Sequence, residues 1–198
     1  MRLRFDVLKD TRRGQAGARR AVGLALLASL AGPACTGPAG PPPQRVSAAG
    51  GADFRAVPVR GLSGEAAPLS ALLERRPTLV SFWAPWCEPC VREQPALQRL
   101  SRAAAACGGA VVGVAVGESP ETIAAFAGQK GLTFPQFTDE NFALADAIGQ
   151  RRIPATMVFD GNQQVVFTGE ALDARATAAL QGLLASRPGA PACVMPAD

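Results

Sequence analysis

The sequence predicts an α/β domain, a mixed sheet covered on both faces by helices. Three observations carry this reading. Two six-residue apolar runs, TLVSFW at 78–83 and VVGVAV at 111–116, suit strands buried on both faces. Helical patterns follow each of them. Two further short strand patterns flank Asp160-Gly161-Asn162-Gln163, a hairpin signal, and a last helix follows. The order β-α-β-α, hairpin, α is that of a mixed sheet between helical layers.

In chain order, the first feature is charge. Residues 1 to 20 hold seven basic side chains against two acids, a surplus of five, and taking that from the chain's +4 leaves the remainder at −1. The basic balance therefore belongs to the N-terminus and argues against a nucleic-acid partner. A basic start followed by the apolar run Ala21 to Ala31 has the pattern of an export signal over residues 1–35. The run is too short to span a bilayer as a stable helix. It ends at Cys35, as a lipoprotein signal does, which makes Cys35 a candidate lipid anchor to a membrane. Gly32 and Pro33 depart from the usual aliphatic residue at that distance, so ordinary cleavage near Ala34 or Ala39 is the alternative. Residues 36–52 are rich in Pro, Gly and Ala and read as a tether.

The folded domain is expected over 53–186. Phe54 to Val59 suggests a strand, Gly61 to Gly64 a turn, and Leu69 to Glu74 a short helix opened by Pro68. A helix should run from near Cys87 to Ala106, with Leu97 and Leu100 inward and Pro95 disturbing it. Ser119 and Pro120 open the next helix. Phe134 to Phe137 reads as extended, Asn141 to Ile148 as a short helix, and Ala155–Phe159 with Gln164–Thr168 as the hairpin strands. Asp173 starts the last helix, and 187–198 is a Pro-rich tail.

Composition narrows the chemistry. The 198 residues include five cysteines and no histidine. That excludes a Ser-His-Asp or Cys-His pair and any histidine-ligated metal supplied by this chain. The pair Cys87-Glu88-Pro89-Cys90 follows a buried strand and opens a helix. A helix N-terminus offers free N–H groups and the positive end of the dipole, which favour a thiolate. The thiolate is the species that attacks a disulfide. Cys87 is the expected nucleophile, and Cys90, one turn inside, the resolving thiol. A zinc site would need two more ligands, and Cys107 and Cys193 supply no second Cys-x-x-Cys. Farther on, Arg152-Ile153-Pro154 precedes an apolar strand. A cis Pro154 would leave backbone open for a substrate chain; a trans proline that simply opens the strand is the alternative.

The segments SFWAPWCEPC, VREQPAL, GVAV and RRIPATMVFD, in this order, resemble the thioredoxin fold, and more closely its TlpA/ResA-like branch of exported thiol-disulfide oxidoreductases. The resemblance covers roughly 53–186. It implies a three-layer α/β/α sandwich with N-terminal and central insertions, a Cys87/Cys90 redox pair supported by Trp86, Glu88, Pro89 and Ile153, and a cis Pro154. Ser81 stands where thioredoxins bury an aspartate, and Glu93 matches a glutamate of ResA-like members that would assist proton transfer from Cys90. Glu88 opposes thiolate formation, which favours a disulfide reductant over a strong oxidant. In this fold the helices ending near Cys107 and before Cys193 run side by side away from the redox site, so a structural disulfide between those two is expected.

The function expected is thus an exported, periplasmic or cell-envelope oxidoreductase that needs no cofactor or metal and works as a monomer. Its partners would be oxidised proteins and a membrane thiol donor, in cytochrome c biogenesis or copper-centre assembly. The alternative from another class is a copper-binding metallochaperone with Cys87 and Cys90 as soft ligands.

Overall fold

A computed structural model of the chain describes residues 53–187 and 193–196. The expected export signal with Cys35, and the tether at 36–52, lie outside the described residues. The strand expected at Phe54–Val59 is corrected. Asp53 accepts a hydrogen bond from the Arg55 N–H at 3.1 Å and caps a 3-10 turn, Phe54–Ala56, so the strand β1 begins only at Pro58 (Pro58–Gly61). A short strand that the sequence did not suggest, β2 (Ala66–Pro68), returns beside it and leads into α1 (Leu69–Leu73).

The centre follows the sequence pattern closely. Strand β3 (Thr78–Trp83) and strand β4 (Ala110–Val116) are buried at every position, as continuous apolar runs should be. Between them runs α2 (Glu88–Ala106), which continues through Pro95 and loses the ladder bond to the Val91 carbonyl. Ser119 caps α3 (Pro120–Lys130) by accepting from the Thr122 N–H, and Gly131, at φ 64°, ends it in the left-handed region. The extended piece expected at Phe134–Phe137 is shifted: β5 is Gln136–Asp139. Helix α4 (Ala143–Ala147) is shorter than expected. The hairpin strands are β6 (Ala155–Phe159) and β7 (Val165–Gly169), and Asp173 caps α5 (Ala174–Ala185).

The seven strands lie in the order β2-β1-β5-β4-β3-β6-β7. β3, β4 and β5 run parallel, and the outer strands pair antiparallel, so the sheet is mixed. One face carries Val80, Phe82, Val112 and Val114 against Leu69, Leu72 and Leu73 of α1 and Leu144 of α4. On the other, Leu79 and Val111 meet Leu97 and Leu100 of α2 and Leu180 and Leu184 of α5. Each of these leucines is almost fully buried, worth about 1.5–3 kcal/mol apiece against exposure. Nearer the end of the sheet, Trp83 and Ala115 pack with Cys87, Cys90 and Ile123 of α3. Gly113 makes room there: the Gln136 side chain lies where a Cβ would stand and accepts the Trp83 Nε1–H bond at 3.1 Å. The N-terminal end of α2 is therefore anchored on a packed layer through Trp83.

Candidate redox site

Strand β3 ends at Trp83, and a tight turn through Ala84–Trp86 delivers the chain to α2; the Cys87 N–H donates to the Ala84 carbonyl at 3.1 Å. Cys87 is the N-cap of α2, and its Sγ accepts from the Cys90 N–H at 3.3 Å. Glu88 and Pro89 fill the first turn. Pro89 is well placed there, because its missing N–H has no helical acceptor to lose. The sulfurs of Cys87 and Cys90 are bonded to each other, with Cα atoms 5.2 Å apart. Cys90 is fully buried, and Cys87 shows 6% of its surface. When the pair is reduced, Cys87 is the sulfur at the unsatisfied N–H groups and the positive dipole end.

The other residues singled out in the sequence fall into two groups. Trp86 is 65% exposed beside the pair. Ile153 packs against the cysteine cluster, and the Ile153–Pro154 bond is cis. Glu88 pairs with Arg92 one turn on, an exposed ion pair that offsets its charge toward the sulfurs. Glu93 is half-buried on α2, and its Oε1 accepts from the Leu172 N–H at 3.3 Å, so the carboxylate faces the loop before α5. Ser81 is buried on β3, paired in register with Thr156 of β6.

Cys107 and Cys193 lie away from this site. They are bonded to each other at the C-terminal end of α2, with Cα atoms 6.0 Å apart across 86 residues of sequence. Cys107 comes seventeen positions after Cys90 along α2, a rise of roughly 25 Å. There Arg187 donates from Nη1 to the carbonyls of Cys107 and Gly108, at 3.1 and 2.8 Å, and Gln181 donates to the Cys193 carbonyl at 3.3 Å.

Sequence reasoning missed one part of the site. Phe142, Arg151 and Arg152 join Trp86 and Ile153 around a groove of about 100 Å³ beside the cysteines. The adjacent arginines before Ile153-Pro154 are a visible signal. Phe142 gives none, because its place depends on how β5 joins α4.

Among the described residues no helix is long and apolar enough to cross a membrane. The arrangement at Cys87 can carry two-electron exchange between a dithiol and a disulfide, with α2 stabilising the attacking thiolate.

Comparison with known proteins points the same way. Residues 51–180 match the Redoxin family. ResA, a thiol-disulfide oxidoreductase of Geobacillus thermodenitrificans, is 35% identical over 92 residues, covering 46% of this chain and 53% of ResA. The ResA of Halalkalibacterium halodurans is 30% identical over 105 residues, covering 53% of this chain and 59% of that protein. The chain thus spans about half the length of the curated relatives it matches. Among solved structures, a secreted thiol-disulfide isomerase from Corynebacterium glutamicum superposes with a TM-score of 0.57 at 25% identity, over 66% of this chain and 84% of that one. A secreted disulfide oxidoreductase of Mycobacterium tuberculosis does so with a TM-score of 0.53 at 23% identity, over 68% and 98%. The mixed sheet between helical layers is the thioredoxin-like fold.

Proposed function

Since the chain belongs to the Redoxin family, we propose that it is an exported thiol-disulfide oxidoreductase that reduces disulfides of partner proteins. The observation that carries this reading is the Cys87–Cys90 pair at the N-terminus of α2, beside the exposed Trp86 and packed against Ile153. In the reduced protein, the Cys87 thiolate attacks one sulfur of a partner's disulfide. That bond breaks, a Cys87–partner mixed disulfide forms, and the other partner sulfur leaves as a thiolate. Cys90 then loses its proton and attacks the Cys87 sulfur, closing the Cys87–Cys90 bond and releasing the second partner thiolate. Two electrons pass from the dithiol to the partner.

Glu93, one turn past Cys90, is the carboxylate in this reading that accepts the Cys90 proton; with no histidine in the chain, the task falls to a carboxylate or to water. Trp86, Glu88, Pro89, Ile153 and Pro154 shape the surface on which a partner chain lies. The Cys107–Cys193 bond is structural. A membrane thiol donor restores the dithiol, and cytochrome c maturation and copper-centre assembly are the settings that the family resemblance offers. Residues 1–35 direct export, with Cys35 as the lipid anchor of a tethered form, and 36–52 give the domain reach.

Insulin reduction tests the reading. The wild-type chain is expected to turn over with dithiothreitol as donor, and Cys87→Ala to fall to the uncatalysed background. Equal turnover in the two would refute the nucleophile. A redox titration should place the pair well below about −120 mV, the potential of a strong oxidant.

A further inference from the structure

Among the described residues, the large apolar side chains left exposed are Trp86, Phe142 and Val194. Two of these three line the groove beside the cysteines. Phe142 is there at a cost. Its φ is 58°, in the left-handed region, where a bulky residue is an outlier worth about 1–3 kcal/mol of strain. The surroundings fix this geometry. Asp139 is buried, and its carboxylate accepts the N–H groups of Leu144 and Ala145 at 3.1 and 2.8 Å. The Phe142 N–H donates to the Asp139 carbonyl, and the Phe142 carbonyl accepts from Asp146. Held this way, the ring sits over Gly117, where the nearest side chain to a Cβ would be Phe142 itself. Gly117 is also left-handed, at φ 70°. Two unusual backbone positions thus combine to present one half-exposed aromatic ring to the groove.

The rim is cationic. Arg151 and Arg152 are exposed, and Arg151 is tied to Asp146 on α4. Arg152 makes no ion pair among the described residues; its carbonyl alone is held, by the Gln150 amide. Both arginines line the groove together with Ile153, which packs against the cluster that holds Cys87 and Cys90. The groove therefore combines an apolar lining with two cationic side chains, and Trp86, next in the chain to Cys87, is part of its wall. Its volume, about 100 Å³, equals roughly three liquid waters and suits one aliphatic side chain.

We propose that this groove selects the disulfide to be reduced: the partner is an extended segment with an aliphatic side chain next to the attacked cysteine and a carboxylate beyond it. The inference rests on the reductase reading and adds its substrate class. The aliphatic side chain enters between Trp86, Phe142 and Ile153, and the carboxylate meets Arg152, with Arg151 behind it. The chemical step is the one already written, with attack at the partner's cysteine sulfur.

Capped pentapeptides test this, each with a central cysteine joined in a disulfide to thionitrobenzoate, whose release is coloured. The sequences are Glu-Leu-Cys-Leu-Glu, Lys-Leu-Cys-Leu-Lys and Glu-Gly-Cys-Gly-Glu. Single turnovers of the reduced full-length protein should favour the first peptide over the second by about fivefold or more at low salt, with the ratio shrinking as salt is added. The first should also exceed the third by about fivefold or more, as expected for one buried aliphatic side chain. Arg152→Glu should reverse the preference between the first two. Phe142→Gly relieves the left-handed strain, which offsets the packing lost with the ring, and so should still fold, yet bring the first and third peptides to about equal rates. Equal wild-type rates on all three peptides would overturn the inference and leave the reductase reading standing. No release from any of them would sink both. A dimer in sedimentation that Phe142→Gly dissolves would assign the groove to a second copy of the chain and overturn the partner proposed.

Discussion

At the start of α2, Cys87 faces backbone N–H groups that have no helical partner, and its Sγ already accepts one of them. At the end of the same helix, Cys107 lies among carbonyls, two of which take the Arg187 guanidinium. The two disulfides share a helix and sit in opposite fields. A thiolate is favoured at the first position and opposed at the second, where the dipole presents its negative end. They also close very different loops, with sequence separations of 3 and 86. The short loop removes little freedom from the unfolded chain, and the long one removes a good deal. Identical chemistry is thereby divided, with reactivity at one pole and restraint at the other.

The strongest test of this division removes the clip. Replacing both Cys107 and Cys193 by serine should lower unfolding stability by about 2–4 kcal/mol, read as a fall in the urea midpoint, while insulin reduction through Cys87 persists. Lost turnover in a protein still folded would show that the two poles are coupled. An unchanged midpoint would show that the long loop restrains nothing.

The two poles were not equally legible in the sequence. Cys87-Glu88-Pro89-Cys90 is local: strand run, spacing and helix start are all within a dozen residues, so the pair could be read directly. Strands β3, β4 and β6 were legible for a similar reason, since burial on both faces writes an unbroken apolar run. The partner of Cys107 is 86 residues away, and only the arrangement implied by the family resemblance suggested it. Short edge elements were obscured because three or four residues carry no period. Ala66–Pro68 shows no strand signal, and at Phe54 a side-chain cap from Asp53 overrides an apparently extended pattern. Phe142 was illegible, since nothing in a sequence marks a phenylalanine for the left-handed region. Its geometry comes from the buried Asp139, which holds the entry to α4.

A smaller effect is expected at Glu93, which ties α2 to the loop before α5 at the redox pole through the Leu172 N–H, as the disulfide ties the end of α2 to the tail beyond α5 at the other. Glu93→Gln keeps an acceptor for that N–H and removes the charge. Resolution of a Cys87 mixed disulfide by Cys90 should slow by about tenfold near neutral pH, less than the roughly 10²–10⁴-fold of a full general base because water can take the proton in its place, and the variant's pH profile should change shape. Unaltered rate and profile would reduce Glu93 to a tether between the helices.

The smallest effect concerns the cap that starts α5 next to that contact. Asp173 accepts from the Ala176 N–H at 2.9 Å and pairs with Arg175. Burial pushes its carboxyl up, but the Ala176 N–H and the Arg175 guanidinium outweigh it and hold the group below its ordinary value of 3.8. A carboxyl depressed in the folded state adds stability that is complete above the unfolded value and fades as pH falls through the folded one. Asp173→Ala should therefore cost about 1 kcal/mol at pH 7, a difference that holds down to about pH 5 and shrinks below the ordinary carboxylate range. Asp173→Asn keeps the cap without the charge, so its smaller deficit at pH 7 should vanish on acidification. A loss from Asp173→Ala that ignored pH would mean that α5 is held at this pole by the geometry of the cap alone, with no part for the carboxylate charge.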